Sequence, residues 1–248
     1  SPNPTLEKEL PNAYINMGIT AENVADLYVI SREEQEEFAL KSHLKAIRAY
    51  SDGNFSNELV SITSNGNEVC QDDCIRPDST LESMSDLKPA FMKGGSVTAA
   101  TSSPLTDGVV FSLICSEEFA ISHSLRPIAA IVSGAVTGCH PELMGLGPIS
   151  STNLALERAG WEVSDIDVFE LNEAFSSQTI ACIRELGLNP ETVNIDGGAL
   201  AIGHPLGASG ARISCKAASI LNRTGSQRAI ASMCIGGGMG ISIALEAL

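Results

Sequence analysis

The chain has no long uncharged apolar run, and so no candidate for a membrane-spanning helix. It has no block of lysine and arginine. With 15 Lys and Arg against 30 Asp and Glu, its formal net charge is −15, which speaks against nucleic acid or an anionic membrane as partner. An anionic ligand needs only a few local cations and stays open. It has no second cysteine pair to join Cys70 and Cys74, so a tetrahedral metal site is not expected. Seven cysteines, an odd number, are scattered without a signal peptide. That is the pattern of free thiols in a reducing compartment, read as cytoplasmic, with a mitochondrial or peroxisomal matrix also fitting. Short-period repeats are absent. The opening Ser-Pro-Asn-Pro carries no methionine and reads as a chain entered in mid-loop.

What is present suffices for a sizeable core: 44% of 248 residues are hydrophobic, which suits one large domain or two smaller ones. Residues 1 to 18 read as irregular, with Pro2, Pro4 and Pro11 set against an early helix. Ser31-Arg32-Glu33-Glu34 is a capping box. Its helix should run to about Ser51, stop at Asp52-Gly53 and bury Phe38, Leu44, Ile47 and Tyr50. Leu59 to Ile62 reads as a strand, and Asn65-Gly66 signals a hairpin. From Cys70 to Gly95 the chain is loop-like, with a brief helix over Leu81 to Leu87. Residues 1–95 therefore look like an α+β insertion.

From Ser96 the texture changes. Val109 to Cys115 is a continuous apolar run suited to a strand buried on both faces, and Ser116-Glu117-Glu118 opens a short helix. Ile128 to Val136, Ile166 to Leu171, Ala229 to Ile235 and Gly240 to Leu245 read as strands. Helices fall over Thr152 to Ala159, Phe175 to Leu186 and Ser209 to about Asn222. Alternation of this kind predicts an α/β fold: a largely parallel sheet with helices on both faces, its chemistry in loops at the carboxyl ends of strands. Asn172 and Cys234 fall at such ends. Cys115, Cys139, Cys182 and Cys215 lie in apolar or helical contexts and read as small buried residues.

The densest motif runs from Gly197 to Arg212. It sets His204, pinned by Pro205, in a glycine-rich turn, with Ser209 a candidate N-cap for the helix that follows. A catalytic imidazole and a satisfied structural histidine fit this word equally. Met233 to Gly240 carries Cys234 into three glycines, an accessible position where a nearby imidazole would make the thiol reactive. On the residues alone, Cys234 is a nucleophile and His204 its base. A third cluster, Glu170 to Phe175, lies where a strand gives way to a helix.

Taken in order, Asn172-Glu173-Ala174-Phe175, Gly203-His204-Pro205 and Cys234-Ile235-Gly236-Gly237-Gly238 resemble the C-terminal half of a thiolase. The resemblance covers nearly the whole chain. Met17 to Asn23, Arg76-Pro77, Lys88 to Phe91 and Met144 to Pro148 fall where that family has near-identical words. It implies a thiolase-like layered sheet with helices on both faces plus an α+β loop domain. The loop domain would span residues 1–95, the closing piece of the N-terminal half 96–126, and the C-terminal domain 127–248. The implied activity is that of a 3-ketoacyl-CoA thiolase or acetyl-CoA acyltransferase: thiolytic cleavage of a 3-ketoacyl-CoA by CoA in fatty-acid β-oxidation, with coenzyme A as substrate and no cofactor or metal.

The resemblance also reassigns roles. Cys234 becomes the general acid/base, while the acylated cysteine belongs upstream of Ser1, so the chain alone is expected to be inactive. His204 and a water held by Asn172 would form one oxyanion hole, and the Gly236 N–H would contribute to a second. Glu173 either orients its neighbours or is a helix-start acid. Met17 opens the Met-Gly word beside the substrate. Met144 and Phe175 would line the acyl pocket, or are plain core. Ser103 matches a serine on the pantetheine arm. Arg76 and Ser83 match positions near the adenine and phosphates of CoA, with a surface salt bridge the plainer reading of Arg76. Asn16 stands where short-chain members carry histidine, which disfavours acetoacetyl-CoA. Ala100 and Val109 add bulk near a packed strand. Implied partners are acyl-CoA and CoA, and a second copy of the chain (a homo-oligomer) or a companion polypeptide supplying the N-terminal half. Alternatives are a non-catalytic acyl-CoA-binding or scaffolding subunit, a short-chain acetyl-CoA acetyltransferase, and a thioester hydrolase using Cys234 with His204.

Overall fold

A computed structural model describes residues 2–248. The early prolines do not keep the N-terminus irregular. Pro4 takes the first position of helix α1 (Pro4–Glu9), where a missing N–H costs no bond, and Asn3 Oδ1 accepts the Thr5 N–H at 2.9 Å. Pro11 likewise starts a 3₁₀ turn over Pro11–Tyr14. Helix α2 (Met17–Leu27) follows, capped by Asn16, whose Oδ1 accepts from the Gly18 N–H at 2.8 Å.

Helix α3 (Arg32–Ser51) starts at Ser31 as the capping signal predicts. Its buried face is not the one expected. Ala39, Ser42, His43, Ala46 and Ala49 point inward, Phe38, Ile47 and Tyr50 are half-buried, and Leu44 is exposed. The chain at Gly197 comes so near that a Cβ there would stand 2.7 Å from the Ala46 Cβ. Close approach selects small residues, and the larger Leu44 is left outside. The hairpin of β1 (Ile62–Ser64) and β2 (Asn67–Val69) turns at Asn65-Gly66, and α4 spans Leu81–Ser85.

The run from Val109 to Cys115 forms no strand. Val109 is 76% and Phe111 92% exposed, Cys115 is exposed too, and so the bulk of Val109 crowds nothing. Hydrophobicity can favour an extended chain, but a strand also needs a neighbour to complete its ladder. Among the described residues this run has none. Ser116 then caps α5 (Glu117–Ser122).

The central sheet comprises β3 (Ala129–Gly138), β4 (Val168–Leu171), β5 (Arg228–Ile235) and β6 (Met239–Ala247), in the order β3-β6-β5-β4. Its pairing is mixed rather than largely parallel: β4–β5 runs parallel, β5–β6 and β6–β3 antiparallel. The reason is the Gly236-Gly237-Gly238 link. With φ of +85° and +88° at Gly237 and Gly238, it folds β5 directly back on β6, which only an antiparallel pair permits. Helices α6 (Gly147–Ala159) and α7 (Ser176–Leu186) cover one face, packing Leu156, Cys182 and Ile183 on Phe169 and Ile230. The short α8 (Ala199–Ile202) leads into α9 (Ser209–Thr224), which covers the other face with Ile213, Ala217 and Leu221 on Val168, Ala229 and Leu245. Successive strand residues thus serve opposite layers.

Candidate active site

The site is assembled at the carboxyl ends of the parallel pair β4–β5. The Asn172 N–H donates to the Ser232 carbonyl at 2.9 Å, extending the ladder by one residue and bringing Asn172 alongside the end of β5. Beyond it the chain is anchored in both directions. Asn194 Nδ2 donates to the Leu171 carbonyl and to Glu173 Oε1, each at 2.8 Å. Glu173 Oε2 accepts from Ser42 Oγ at 2.6 Å and from the Leu200 N–H at 3.2 Å. A buried carboxylate with three donors is an orienting group, tying β4 to α3 and α8. Burial nonetheless pushes its pKa up, against those bonds. Gly198 passes so near that a Cβ would lie 2.1 Å from Glu173 Cδ, so only glycine fits.

His204 is held from both sides. Its N–H donates to the Pro104 carbonyl at 3.0 Å, and it pairs with Leu105 as a parallel bridge. Its Nδ1 lies 2.5 Å from Ser209 Oγ and its Nε2 3.4 Å from Asn172 Nδ2. Burial, then the Arg212 charge, lowers its pKa, so the imidazole is neutral at pH 7. Ser209 does not cap α9. It occupies the first helical position after Ala208, and its hydroxyl serves His204 and the Pro205 carbonyl instead.

Cys234 is not the accessible thiol that its glycine-rich surroundings suggest. It is 7% exposed, and burial pushes its pKa up to about 12. It packs in one apolar cluster with Met144, Ala174 and Phe175, against Met17. Gly236 faces the same methionine: a Cβ there would meet Met17 Sδ at 3.3 Å. Phe175 meets Phe91 edge-on with ring centroids 5.9 Å apart. Ser103 joins through its backbone, its N–H donating to the Ala174 carbonyl at 3.0 Å. Neither ring nitrogen of His204 is engaged by Cys234; Ser209 and Asn172 take those places.

Asn172, His204, Cys234, Gly236, Ser103, Met17, Met144 and Phe175 are therefore linked by contacts around the ends of β4 and β5. Arg76 and Ser83 do not join them. The Arg76 N–H donates to His43 Nδ1 at 3.3 Å while its side chain is exposed. Ser83 closes the capping box of α4 with Thr80. A groove of about 300 Å³ between α3 and α7 reaches Glu173 from behind, past Phe38 and Lys45. Sequence reasoning missed Ser42 and Asn194, the partners of Glu173, and Arg212, whose Nη2 stands 3.5 Å from Asn172 Oδ1. The Ser209-to-Arg212 spacing, one helical turn, was the available signal for the last.

Residues 5–118 match the thiolase N-terminal domain and residues 125–247 the thiolase C-terminal domain. The chain is 46% identical over 237 residues to the acetyl-CoA acetyltransferase of Shinella zoogloeoides, covering 94% of this chain and 60% of that protein. It is 44% identical over 253 residues to the 3-ketoacyl-CoA thiolase of a Marinomonas strain, covering 98% and 65%. Among solved structures, the acetyl-CoA acetyltransferase of Bacillus anthracis superposes with a TM-score of 0.91 at 43% identity, over 94% of this chain and 60% of that one. Human mitochondrial 3-ketoacyl-CoA thiolase in complex with CoA does so with a TM-score of 0.91 at 40% identity, over 94% and 59%. The chain thus spans about 60% of the length of these relatives. With matching words in order and this fold, the chain belongs to the thiolase family.

Proposed function

We propose that this chain is the portion of an acyl-CoA C-acyltransferase that holds the acyl thioester and moves the proton at its α-carbon, within thiolytic cleavage of a 3-ketoacyl-CoA by CoA. One observation carries the reading: the side chains of Asn172 and His204 meet on the same strand-end edge that bears Cys234 against Phe175 and Met144. In cleavage, the acyl-CoA leaves as a carbanion that must be protonated. A thiol held protonated by burial is suited to give that proton, which makes Cys234 the general acid/base. His204 and a water on Asn172 stabilise the thioester oxygen, and the Gly236 N–H contributes to a second hole. Met17, Met144 and Phe175 line the acyl side. Ser103 meets the pantetheine arm, and Arg76 and Ser83 the adenine and phosphates of CoA.

No cysteine here stands in the acylated nucleophile's motif, so that group comes from outside these 248 residues, and the partner is a second copy in a homo-oligomer or a companion chain supplying the N-terminal half. The exposed run at 109–115 and the apolar Ile131 and Val136 of edge strand β3 support such a partner. The same reading divides the chain at about residues 95 and 126 and sets it in a reducing, cytoplasmic-type compartment. No described helix is long and apolar enough to cross a membrane. The hydrolase alternative is disfavoured by the buried, protonated Cys234 without an imidazole partner.

The test uses a half-reaction that needs no acylated nucleophile. In D₂O the chain should exchange the acyl α-protons of acetyl-CoA faster than buffer, with the excess rising toward alkaline pH as Cys234 ionises and disappearing in Cys234→Ala. Calorimetry on the same samples should register CoA binding in both proteins. CoA binding without any excess exchange would overturn the assigned chemistry.

A further inference from the structure

Helix α4 is too short to hold itself. Its five residues close little more than one turn, and a helix of that length is not stable in water on its own. Its start is satisfied by the capping box of Thr80 and Ser83, and Met84 anchors it between Ala39 and Leu200. Its end is fastened from outside. Arg32, the first residue of α3, reaches across to it, and its Nη2 donates to the carbonyls of Met84 and Ser85, each at 3.0 Å, and of Leu87 at 2.6 Å. A helix leaves its last carbonyls without partners of its own, and a basic side chain is one way of meeting them. Glu36 aims the guanidinium: its Oε1 accepts from Arg32 Nε at 2.6 Å, and its side chain is almost wholly buried. Beyond α4 the chain runs directly to Phe91, which lies on the start of α2, so near that a Cβ at Gly18 would stand 2.0 Å from Phe91 Cγ. The Phe91 ring meets Phe175 there. Segment 80–91 thus carries Ser83 near one end and Phe91 at the other, with the carbonyls held by Arg32 between them. Leu81 and Leu87 are both exposed, so packing by itself grips the segment loosely.

We infer that Arg32, aimed by Glu36, is a positioning residue for coenzyme A: by fastening the end of α4 it sets where Ser83, on the nucleotide side, and Phe91, beside the acyl side, stand. The inference rests on the placement of CoA under the proposed function, which is what makes Ser83 a contact. Arg32 itself touches no substrate. It acts through the fraction of time that segment 80–91 spends in its binding shape, because the apparent dissociation constant rises as the inverse of that fraction.

The test combines amide hydrogen exchange, read by mass spectrometry, with calorimetry of CoA binding, on the whole chain and its Arg32→Ala and Arg32→Lys variants. In Arg32→Ala the amides of residues 81–91 should exchange on the order of tenfold faster, and the dissociation constant of CoA should rise by a similar factor. Strands β5 and β6 should exchange as before. Saturating CoA should return protection to the segment. In the deuterium assay with acetyl-CoA the variant should show a raised KM and an unchanged saturated rate, a split that a general loss of stability would not produce. Lysine keeps the charge but brings one nitrogen to a place served by two, so Arg32→Lys should fall between the other proteins. If Arg32→Ala does not fold, Arg32→Lys carries the test in the same segment and the same direction. Unchanged exchange over 81–91 in a folded variant overturns the inference, as does faster exchange with unaltered CoA affinity. A natural chain that binds no CoA would defeat the placement of CoA and the inference with it, whereas CoA binding that ignores a loosened segment defeats the inference alone.

Discussion

Glu170 gives the most demanding prediction about the interior. It lies on β4, two residues before Asn172, fully buried, with Oε1 lacking a hydrogen-bond partner among the described residues. Burial is the dominant influence on its carboxyl. Lys216 and Arg212 offset it in part, Asp196 and Glu173 add to it, and the pKa stands at about 8 against an ordinary 4.5. Those two values differ by about 5 kcal/mol in the free energy of ionisation. Between pH 4.5 and about 8 the unfolded chain has lost this proton and the folded chain has kept it. Folding therefore takes up a proton, and stability falls as the pH rises across that window. Glu170→Gln has nearly the same shape and no proton to lose. It should match the natural protein to within about 1 kcal/mol at pH 5 and exceed it by roughly 3 kcal/mol at pH 7. In urea titrations this is a rise in midpoint of roughly 1 M at pH 7, growing toward pH 8. Parallel stability curves across pH 5 to 8.5 would refute the reasoning, and so would a variant weaker throughout. Either result would mean that Glu170 is ionised and held by Lys216 and Arg212.

Three other predictions follow from single contacts. Gly198→Ala drives a methyl into the Glu173 carboxylate and should cost about 3 kcal/mol, seen as a fall in Tm; an unchanged Tm would show that this turn can move. Asp196 accepts from Arg223 at 2.9 Å and from Lys216 at 3.2 Å, and although burial pushes its pKa up, these cations hold it below its ordinary 3.8. Its contribution is therefore present above pH 3.8 and lost as the pH falls below it, and Asp196→Asn should cost about 3 kcal/mol at pH 7 by leaving Lys216 buried and short of a partner, with denaturation curves at pH 7 as the check. Phe111→Asp alters a side chain that touches almost nothing, so the stability of the isolated chain should stay within about 0.5 kcal/mol. The same change should weaken association with a second copy or a companion chain in sedimentation experiments, and equal association before and after it would remove Phe111 from the interface.

Much of the outcome was written locally. Ser31, Ser116 and Asn65-Gly66 specified two helix starts and a hairpin, because caps and turns are settled within a few residues by side-chain donors, acceptors and allowed φ. The words around Asn172, His204 and Cys234 marked the loops of the site and pointed to its family before any contact was known. Pairing was not local. The apolar run at 109–115 has every mark of a strand, but a ladder requires a second chain segment, which composition cannot report. The mixed direction of the sheet was likewise decided by which strands met across the Gly236–Gly238 turn. Tertiary packing set the chemistry as well. It buried the Cys234 thiol and raised its pKa, where the neighbouring glycines suggested exposure. It also took Ser209 from capping a helix to holding an imidazole, since folding brings the His204 ring within 2.5 Å of its hydroxyl. Residue types determined what these groups are able to do; burial and neighbours, which exist only once the chain has closed on itself, decided which of those things they do.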